Sequence, residues 1–253
     1  MRIGVGQTPR FDDVDKAAEW LLRRAVGVDL LVLPEYWVGA APMDRGRFDR
    51  YVSHMARVAK EVGGLVVAGG VAVDFDGSVK SVCPVVDAGG LVGFGEKIFP
   101  SAATGERARV RPGSRLAAFR AGGWTAGCLI CVDLLYPELA RRLALAGAEV
   151  LVNPASISAD RRGLWRAVGV VRAFENSVYV AAALGTGYSY PDGRPVAGGS
   201  FVASPNGAVA EFGEEPGVYV FDLEKAELEH ARARRRYLDD AAALQSIYID
   251  FLN

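Results

Sequence analysis

Short apolar segments alternate with amphipathic helical segments, and this alternation limits the fold more than any other feature. Residues 1–6 and 29–33 are predicted strands, and residues 12–26 between them space their apolar side chains for one buried helical face. Both halves of the chain show such strand-helix-strand units and then antiparallel pairs. This order predicts an α/β fold, either a four-layer α-β-β-α sandwich of two mixed β-sheets or one doubly wound sheet.

The remaining elements follow from the same periodicity. Further helices are predicted at 47–62, 137–145, 164–175 and 223–236. Further strands are predicted at 65–74, 81–87, 91–95, 116–119, 124–131, 149–153, 177–184, 200–203, 208–211 and 217–222. Residues 97–115 form a long irregular loop, and a loop of that length inside a compact domain is more often functional than idle.

The 253 residues show no linker and no internal repeat, so we expect one domain over 1–253. Its C-terminal tail, 237–253, is apolar enough that we expect it to pack at an oligomer interface, or else on its own chain. The apolar residues of this tail include Leu244, Ile247, Tyr248, Ile249, Phe251 and Leu252.

Charge and hydropathy limit the kinds of binding partner that the protein is expected to have. The sequence has no apolar stretch long enough for a membrane-spanning helix and no secretory signal at its start. The formal net charge of -1 gives no general attraction to nucleic acid. Arg232 and Arg234–Arg236 form a basic cluster, but a charged helix end explains it better than phosphate binding. We therefore expect a cytoplasmic protein without nucleic-acid or membrane partners.

The chain has only two histidines, His54 and His230, and three cysteines. Two histidines leave almost nothing for a histidine-based metal site or a Ser-His-Asp triad, and three cysteines are too few for a disulfide framework. The glycine pairs match no dinucleotide or phosphate-loop pattern. An enzyme of this composition is expected to use carboxylates, a lysine or a thiol, without a metal or other cofactor.

Three apolar strands end in side chains of this kind. Glu35 follows the strand 29–33, Lys97 follows 91–95, and Cys131 ends the predicted strand 124–131. Ligand sites in α/β sheets gather at the carboxyl ends of strands. A carboxylate could accept the thiol proton there, and an ammonium could stabilise the thiolate and a developing oxyanion.

The residues around these positions resemble the nitrilase superfamily, the carbon-nitrogen hydrolases. The matching motifs, in order, are Leu31-Val32-Leu33-Pro34-Glu35-Tyr36, Lys97-Ile98-Phe99-Pro100 running on to Pro112-Gly113, and Gly127-Cys128-Leu129-Ile130-Cys131-Val132-Asp133-Leu134-Leu135-Tyr136-Pro137-Glu138. They continue with Leu151-Val152-Asn153-Pro154-Ala155, Trp165, Arg172-Ala173-Phe174-Glu175-Asn176, Gly198-Gly199-Ser200 and Ser204-Pro205-Asn206-Gly207. The resemblance covers residues 1–222 and implies the four-layer fold and homodimers or larger homo-oligomers.

The resemblance also implies catalytic roles. Glu35 falls on the general base, Cys131 on the nucleophile, and Lys97 with the backbone N–H of Val132 on the oxyanion hole. Glu106 is the best match to a second glutamate found in many members. Its alternative is a surface acid paired with Arg107 or Arg109.

The implied reaction is hydrolysis of a small amide through a cysteine thioester, with release of ammonia, and Tyr36, Ala155 and Ser156 are candidate substrate contacts. A nitrilase or an N-carbamoyl amino acid amidohydrolase is the alternative. Val132 stands where nitrilases often have tryptophan, and Leu134 and Leu135 stand where carbamoylases often have arginines. Phe99 stands where many members of the family have a histidine. Together these differences from the family motifs favour a less polar substrate. A carboxylate contact from Arg107, Arg109 or Arg161 stays open.

Two alternative hypotheses assign the chain to other functional classes of protein. The first is a non-catalytic member of the family that only binds a ligand. The presence of all three triad residue types argues against it. The second is a thiol-redox protein that uses Cys128 and Cys131. Within one strand these two side chains point to opposite faces, so neither a disulfide nor a shared metal is expected between them.

Overall fold

The computed structural model describes residues 1–243. The helices are α1 (Val14–Leu22), α2 (Arg45–Val62), α3 (Pro137–Leu145), α4 (Arg162–Asn176), α5 (Lys225–Arg235) and α6 (Tyr237–Ala242). The strands are β1 (Arg2–Gln7), β2 (Leu30–Val32), β3 (Leu65–Val67), β4 (Val71–Phe75), β5 (Ser78–Asp87), β6 (Gly90–Glu96), β7 (Ala117–Ala121), β8 (Trp124–Cys128), β9 (Val150–Ala155), β10 (Tyr179–Leu184), β11 (Thr186–Ser189), β12 (Pro195–Ala197), β13 (Phe201–Ala203), β14 (Val209–Glu211) and β15 (Gly217–Asp222). The predicted tail interface lies mostly at 244–253, outside the described residues.

Two large mixed sheets form within residues 1–243. The first has the order β15-β1-β2-β3-β5-β4, with β6 also paired to β5, and the second has the order β14-β13-β10-β9-β8-β7. In each sheet the central strands are parallel, with β1, β2 and β3 in the first and β8, β9 and β10 in the second. The outer pairs are antiparallel. The small hairpin β11–β12 stands apart from both sheets.

Alternating side chains along the strands divide the core into layers. Val32 of β2 belongs to the cluster shared with the second sheet, whereas Leu31 belongs to the cluster beneath α1 and α2. The second sheet packs its other face on α4, against which α3 lies. The helices therefore lie outside and the sheets face each other, which confirms the predicted α-β-β-α sandwich and excludes a single doubly wound sheet.

The predicted strand 65–74 is two strands, which corrects the prediction. Gly69 has a φ of +78° and passes so close to the carbonyl oxygen of Pro34 that a side chain would collide with it. The chain turns there, between β3 and β4. The turn brings Gly70 to accept a hydrogen bond from the backbone N–H of Tyr36, at 2.8 Å. The break in the strand therefore supports the segment that carries Glu35.

The predicted strand 124–131 ends early, and this is a second correction. β8 stops at Cys128, and Cys131 begins a short 3₁₀ helix, Cys131–Leu135, with a φ of +48°. Cys131 therefore leaves the sheet, and strand alternation does not apply to it.

The sulfurs of Cys83 and Cys128 are joined as a disulfide between β5 of the first sheet and β8 of the second. The sequence pattern gave no indication of this pair. Cys131 is the free cysteine, so Cys128 and Cys131 do not form the redox pair considered above.

No helix in residues 1–243 combines the length and the apolar character that crossing a lipid bilayer requires.

Candidate active site

Glu35 and Lys97 reach the site from neighbouring parts of the first sheet. Glu35 follows β2, and Lys97 follows β6. The backbone N–H of Lys97 donates to Ser81 on β5, and its carbonyl accepts from Gly113, at 2.9 and 2.8 Å. The second bond closes the long loop after Lys97 back onto its start. The loop is thereby anchored at both ends, and the lysine side chain enters the interior.

Lys97 lies between two carboxylates. Its Nζ donates to Oε1 of Glu35 at 2.7 Å and to Oε2 of Glu106 at 2.6 Å. All three side chains are buried, with at most 5% of each exposed. Buried charges persist in proteins when they are paired and hydrogen-bonded.

Glu106 begins a single turn of 3₁₀ helix, Glu106–Ala108, within the long loop. Its carboxylate accepts from the hydroxyl of Tyr36 at 2.5 Å and from the backbone N–H of Ser101 at 2.6 Å, besides Lys97. These contacts place Glu106 inside the site. It is not the surface acid, paired with Arg107 or Arg109, that the sequence left open.

Burial and mutual charge set the protonation of this cluster. Burial raises the pKa of Glu35, against the lowering effect of Lys97. Burial disfavours the ammonium of Lys97, but Glu35, Cys131 and Glu106 outweigh it and raise its pKa well above the ordinary value. Burial, then Glu35, raise the pKa of Cys131 well above its ordinary value. The resting site therefore holds a protonated lysine and a neutral thiol beside a carboxylate that can accept its proton.

Cys131 belongs to the second sheet's side of the interior. Its Sγ lies 3.7 Å from the carbonyl oxygen of Ser156, which follows β9. Interaction with Glu35 affects the pKa of the thiol, so the two side chains are neighbours across the sheets. Val132 comes second in the short helix, where backbone N–H groups lack an intrahelical acceptor. Its N–H is therefore a donor next to the thiol.

Asp133 links the thiol segment to the lysine segment, a function that the sequence analysis did not assign. Its two carboxylate oxygens accept the backbone N–H groups of Ile98 and Phe99, each at 2.9 Å. Burial raises the pKa of Asp133 to about 6, although these two hydrogen bonds lower it. The residues directly after Lys97 are thus fixed to the helix that begins with Cys131.

Asn153 supports the same turn from β9. Its Nδ2 donates to the carbonyls of Leu129 and Cys131, at 2.7 and 3.2 Å, and its Oδ1 accepts from the indole of Trp165 at 2.9 Å. Asn153 and Trp165 were part of the family motifs, but no role followed from the sequence. The geometry shows that they hold the backbone of Cys131.

The three residues considered as substrate contacts, Tyr36, Ala155 and Ser156, lie in different surroundings. Tyr36 is engaged with Glu106, and Ala155 is fully buried at the end of β9. The hydroxyl of Ser156 lies 2.8 Å from the hydroxyl of Tyr188 and 3.2 Å from that of Tyr190. Tyr190 also donates to the carbonyl of Ser156 at 2.6 Å.

Tyr188 and Tyr190 belong to the β11–β12 hairpin region, which the sequence analysis missed. A signal was present, because Pro191-Asp192-Gly193 is typical of a tight turn. The hairpin brings two phenols next to Ser156, beside the thiol, and so forms one wall of the site.

Among residues 1–243, no group of three or more histidine, cysteine or acidic side chains is arranged to hold a metal ion.

Residues 6–233 match the family described as carbon-nitrogen hydrolase. The chain belongs to the carbon-nitrogen hydrolase family. The predicted family is confirmed, and so is the predicted class of enzyme, an amidase-type carbon–nitrogen hydrolase.

Relatives within the carbon-nitrogen hydrolase family align with this chain over most of their length. A 2-oxoglutaramate amidase from Bacillus subtilis (strain 168) is 30% identical over 239 residues, which cover 90% of this chain and 91% of the relative. A nitrilase from Pyrococcus abyssi (strain GE5 / Orsay) is 35% identical over 242 residues, or 87% of this chain and 88% of the relative. A CN-hydrolase superfamily protein from Xanthomonas campestris, 22% identical, superimposes with a TM-score of 0.83 over 100% of this chain and 98% of that one. The fold and the family thus extend over almost the whole chain.

Proposed function

We propose that this carbon-nitrogen hydrolase cleaves the terminal C–N bond of a small primary amide, with Cys131 as nucleophile, Glu35 as general base and acid, and Lys97 with the N–H of Val132 as oxyanion donors. The observation that carries the proposal is the buried ammonium of Lys97 between the carboxylates of Glu35 and Glu106, with the free thiol of Cys131 beside Glu35.

The first step follows from the protonation of the site. The thiol is neutral at rest, so its proton passes to Glu35 as the sulfur bonds to the amide carbon. The carbonyl electrons move onto oxygen, where Lys97 and Val132 stabilise the negative charge. Removing one such donor typically lowers the rate by about 10²–10³.

The second half of the reaction uses the same groups. As the tetrahedral intermediate collapses, the C–N bond breaks and Glu35 returns its proton to nitrogen, which leaves as ammonia. Glu35 then accepts a proton from water, whose oxygen adds to the thioester carbon. The C–S bond breaks, the leaving sulfur takes the proton from Glu35, and the carboxylic acid product is released. Glu106 holds Lys97 in place through both halves.

The test measures ammonia release from a panel of small amides, nitriles and N-carbamoyl amino acids, with wild type and Cys131→Ala. We expect release from amides, none from Cys131→Ala, and a covalent acyl adduct on Cys131 by mass spectrometry. A clear preference for nitriles or carbamoyl compounds would overturn the substrate class. Undiminished activity of Cys131→Ala would overturn the mechanism.

We also propose a cytoplasmic location. We further propose a homodimer or larger homo-oligomer, which the resemblance to the family supports. Cell fractionation tests the first. Light scattering of the full chain and of a chain shortened to residues 1–243 tests the second, because loss of the oligomer on truncation is expected if the tail is at the interface.

A further inference from the structure

Arg10 lies at the edge of the first sheet from which Glu35 projects. It comes shortly after β1, and β1 and β2 are parallel neighbours, so their carboxyl ends share this edge. Two backbone hydrogen bonds fix the segment, from Thr186 to the carbonyl of Thr8 at 2.9 Å and from Phe11 to the carbonyl of Trp37 at 2.7 Å. The first bond joins the Arg10 segment to β11, and the second joins it to the loop that carries Glu35.

The side chain of Arg10 extends over the wall of the site. Its guanidinium carbon lies 4.0 Å from the ring centroid of Tyr188. The Tyr188 hydroxyl lies 2.8 Å from that of Ser156, and the Ser156 carbonyl lies 3.7 Å from the sulfur of Cys131. In space, Tyr188 and Ser156 therefore lie between Arg10 and the sulfur of Cys131. Burial raises the pKa of the Tyr188 phenol, and a hydrogen bond from Arg10 to that side chain lowers it by a smaller amount. A guanidinium carries five N–H donors, so one such bond leaves others for a second group.

No carboxylate of residues 1–243 forms an ion pair with Arg10, and its Nε is buried without a hydrogen-bond partner. Arg194 makes the contrast clear. It lies over Tyr190 of the same hairpin, 5.2 Å from the ring centroid, but its guanidinium is paired with Asp192 at 2.8 Å. Buried donors in proteins are nearly always satisfied, so an unsatisfied one at the wall of a site requires an explanation.

We propose that Arg10 binds a carboxylate of the substrate, so that the preferred substrates are short monoamides of dicarboxylic acids. This inference depends on the proposed function for its reaction. It departs from the less polar substrate expected from Leu134 and Leu135, because the cation comes from the loop after β1. Of the three arginines considered from the sequence, Arg107 contacts the carbonyl of Pro100, Arg161 pairs with Asp160, and Arg109 is exposed.

The kinetic test compares two substrates of similar length, glutaramate with a free carboxylate and the neutral diamide glutaramide. Wild type should prefer glutaramate. Arg10→Gln should lower kcat/KM for glutaramate by about 10- to 100-fold, the range of a lost charge-assisted hydrogen bond, mainly through KM. Glutaramide should change less than about threefold. Arg10→Lys should restore part of the loss, since the charge returns without the planar fork.

Arg194→Gln is the matched control, since it removes an arginine from the same hairpin, and both substrates should respond to it equally and weakly. Circular dichroism and melting curves of Arg10→Gln establish that it folds. An equal loss on both substrates in a folded Arg10→Gln would overturn the proposal, because it would mean a structural or purely electrostatic role. A wild-type preference for glutaramide would overturn it as well.

A binding measurement separates this proposal from the proposed function. Calorimetry of the Cys131→Ala protein with glutarate, the dicarboxylate product, should show binding that Arg10→Gln abolishes and Arg194→Gln leaves intact. If no amide is hydrolysed by wild type, the proposed function fails, but Arg10-dependent glutarate binding would still support the carboxylate site. Absent binding, or binding unchanged by Arg10→Gln, would overturn it.

Discussion

The charged side chains of the site are held in position by neighbours from other segments of the chain. Lys97 is held by Glu35 and Glu106, and the backbone after Lys97 is held by Asp133. Glu35, Lys97 and Cys131 were candidates because each follows an apolar strand, and the resemblance to the carbon-nitrogen hydrolases implied their catalytic roles. In the structure the strands before Glu35 and Lys97 belong to the first sheet, and the strand before Cys131 belongs to the second. Arg10 and Asp133 could not be assigned roles in this way, because their contacts depend on loop geometry that strand periodicity does not encode.

The raised pKa of Glu35 predicts the acid limb of the pH profile. A general base must be unprotonated, and burial raises the pKa of Glu35 above its ordinary value of 4.5. As pH falls through the raised pKa, Glu35 gains a proton and kcat/KM falls. The midpoint of the acid limb should therefore lie above 4.5. In Glu35→Gln we expect a loss of about 10²–10⁴ in kcat and a weakened acid limb. A wild-type midpoint at or below 4.5 would contradict the assignment.

Asp133→Asn tests the link between the two segments. An amide offers one oxygen acceptor, so its NH₂ group would face the N–H of either Ile98 or Phe99. The start of the long loop should shift and displace Lys97, and kcat should fall by about 10- to 100-fold in a protein that remains folded. Asp160→Asn, at an exposed acid paired with Arg161, should leave kcat within twofold. Equal kcat in both variants would show that Asp133 does not position Lys97.

Among the secondary structure elements, periodicity predicted most helices and strands but missed their interruptions. The run 65–74 carries a turn signal in Gly69-Gly70, but the apolar residues on both sides made it look continuous. The close approach of Gly69 to Pro34 that divides it is a tertiary contact. The short 3₁₀ helix at Cys131 is hidden for a similar reason, since Leu129 and Ile130 are as apolar as the strand before them. The hairpin β11–β12 had a turn signal but too few strand residues on either side to show alternation.

Helix α4 offers a test of how closely the layers pack. A side chain added at Gly169 would overlap the ring of Phe201 on β13, whereas one added at Gly163 in the same helix would meet nothing within 4 Å. Gly169→Ala should lower the free energy of unfolding by about 1–3 kcal/mol, the usual cost of overpacking. Gly163→Ala should leave it unchanged or slightly higher, because alanine favours helix. Chemical denaturation of both variants measures the difference, and equal stabilities would contradict this packing.

For the molecule as a whole, the two sheets are joined by covalent bonding as well as by packing. Cys83 and Cys128 connect them across 45 positions of sequence. Where the pair is oxidised, closing a loop of this length contributes roughly 3–5 kcal/mol in the chain-entropy model, and in a reducing cytoplasm this contribution is lost. The sequence could not predict the pair, because the contact exists only once the two sheets face each other.

A thiol count tests this connection. Without reductant, the denatured chain should show one free thiol, Cys131, and after reduction three. Reduction should also lower the Tm of wild type, whereas a Cys83→Ala variant should have the same Tm with and without reductant. Three free thiols in the unreduced, denatured protein would contradict the disulfide.

The pairing of β1 with β15 has a consequence for synthesis. Arg2 of the first strand lies opposite Asp222 of the last, and the backbone N–H of Leu223 donates to the carbonyl of Met1 at 2.8 Å. A nascent chain on the ribosome therefore exposes one edge of β1 until β15 emerges more than two hundred residues later. An unpaired edge strand readily joins strands of other chains. Within residues 1–243, the last strand to be synthesised is therefore the one that covers this edge of β1.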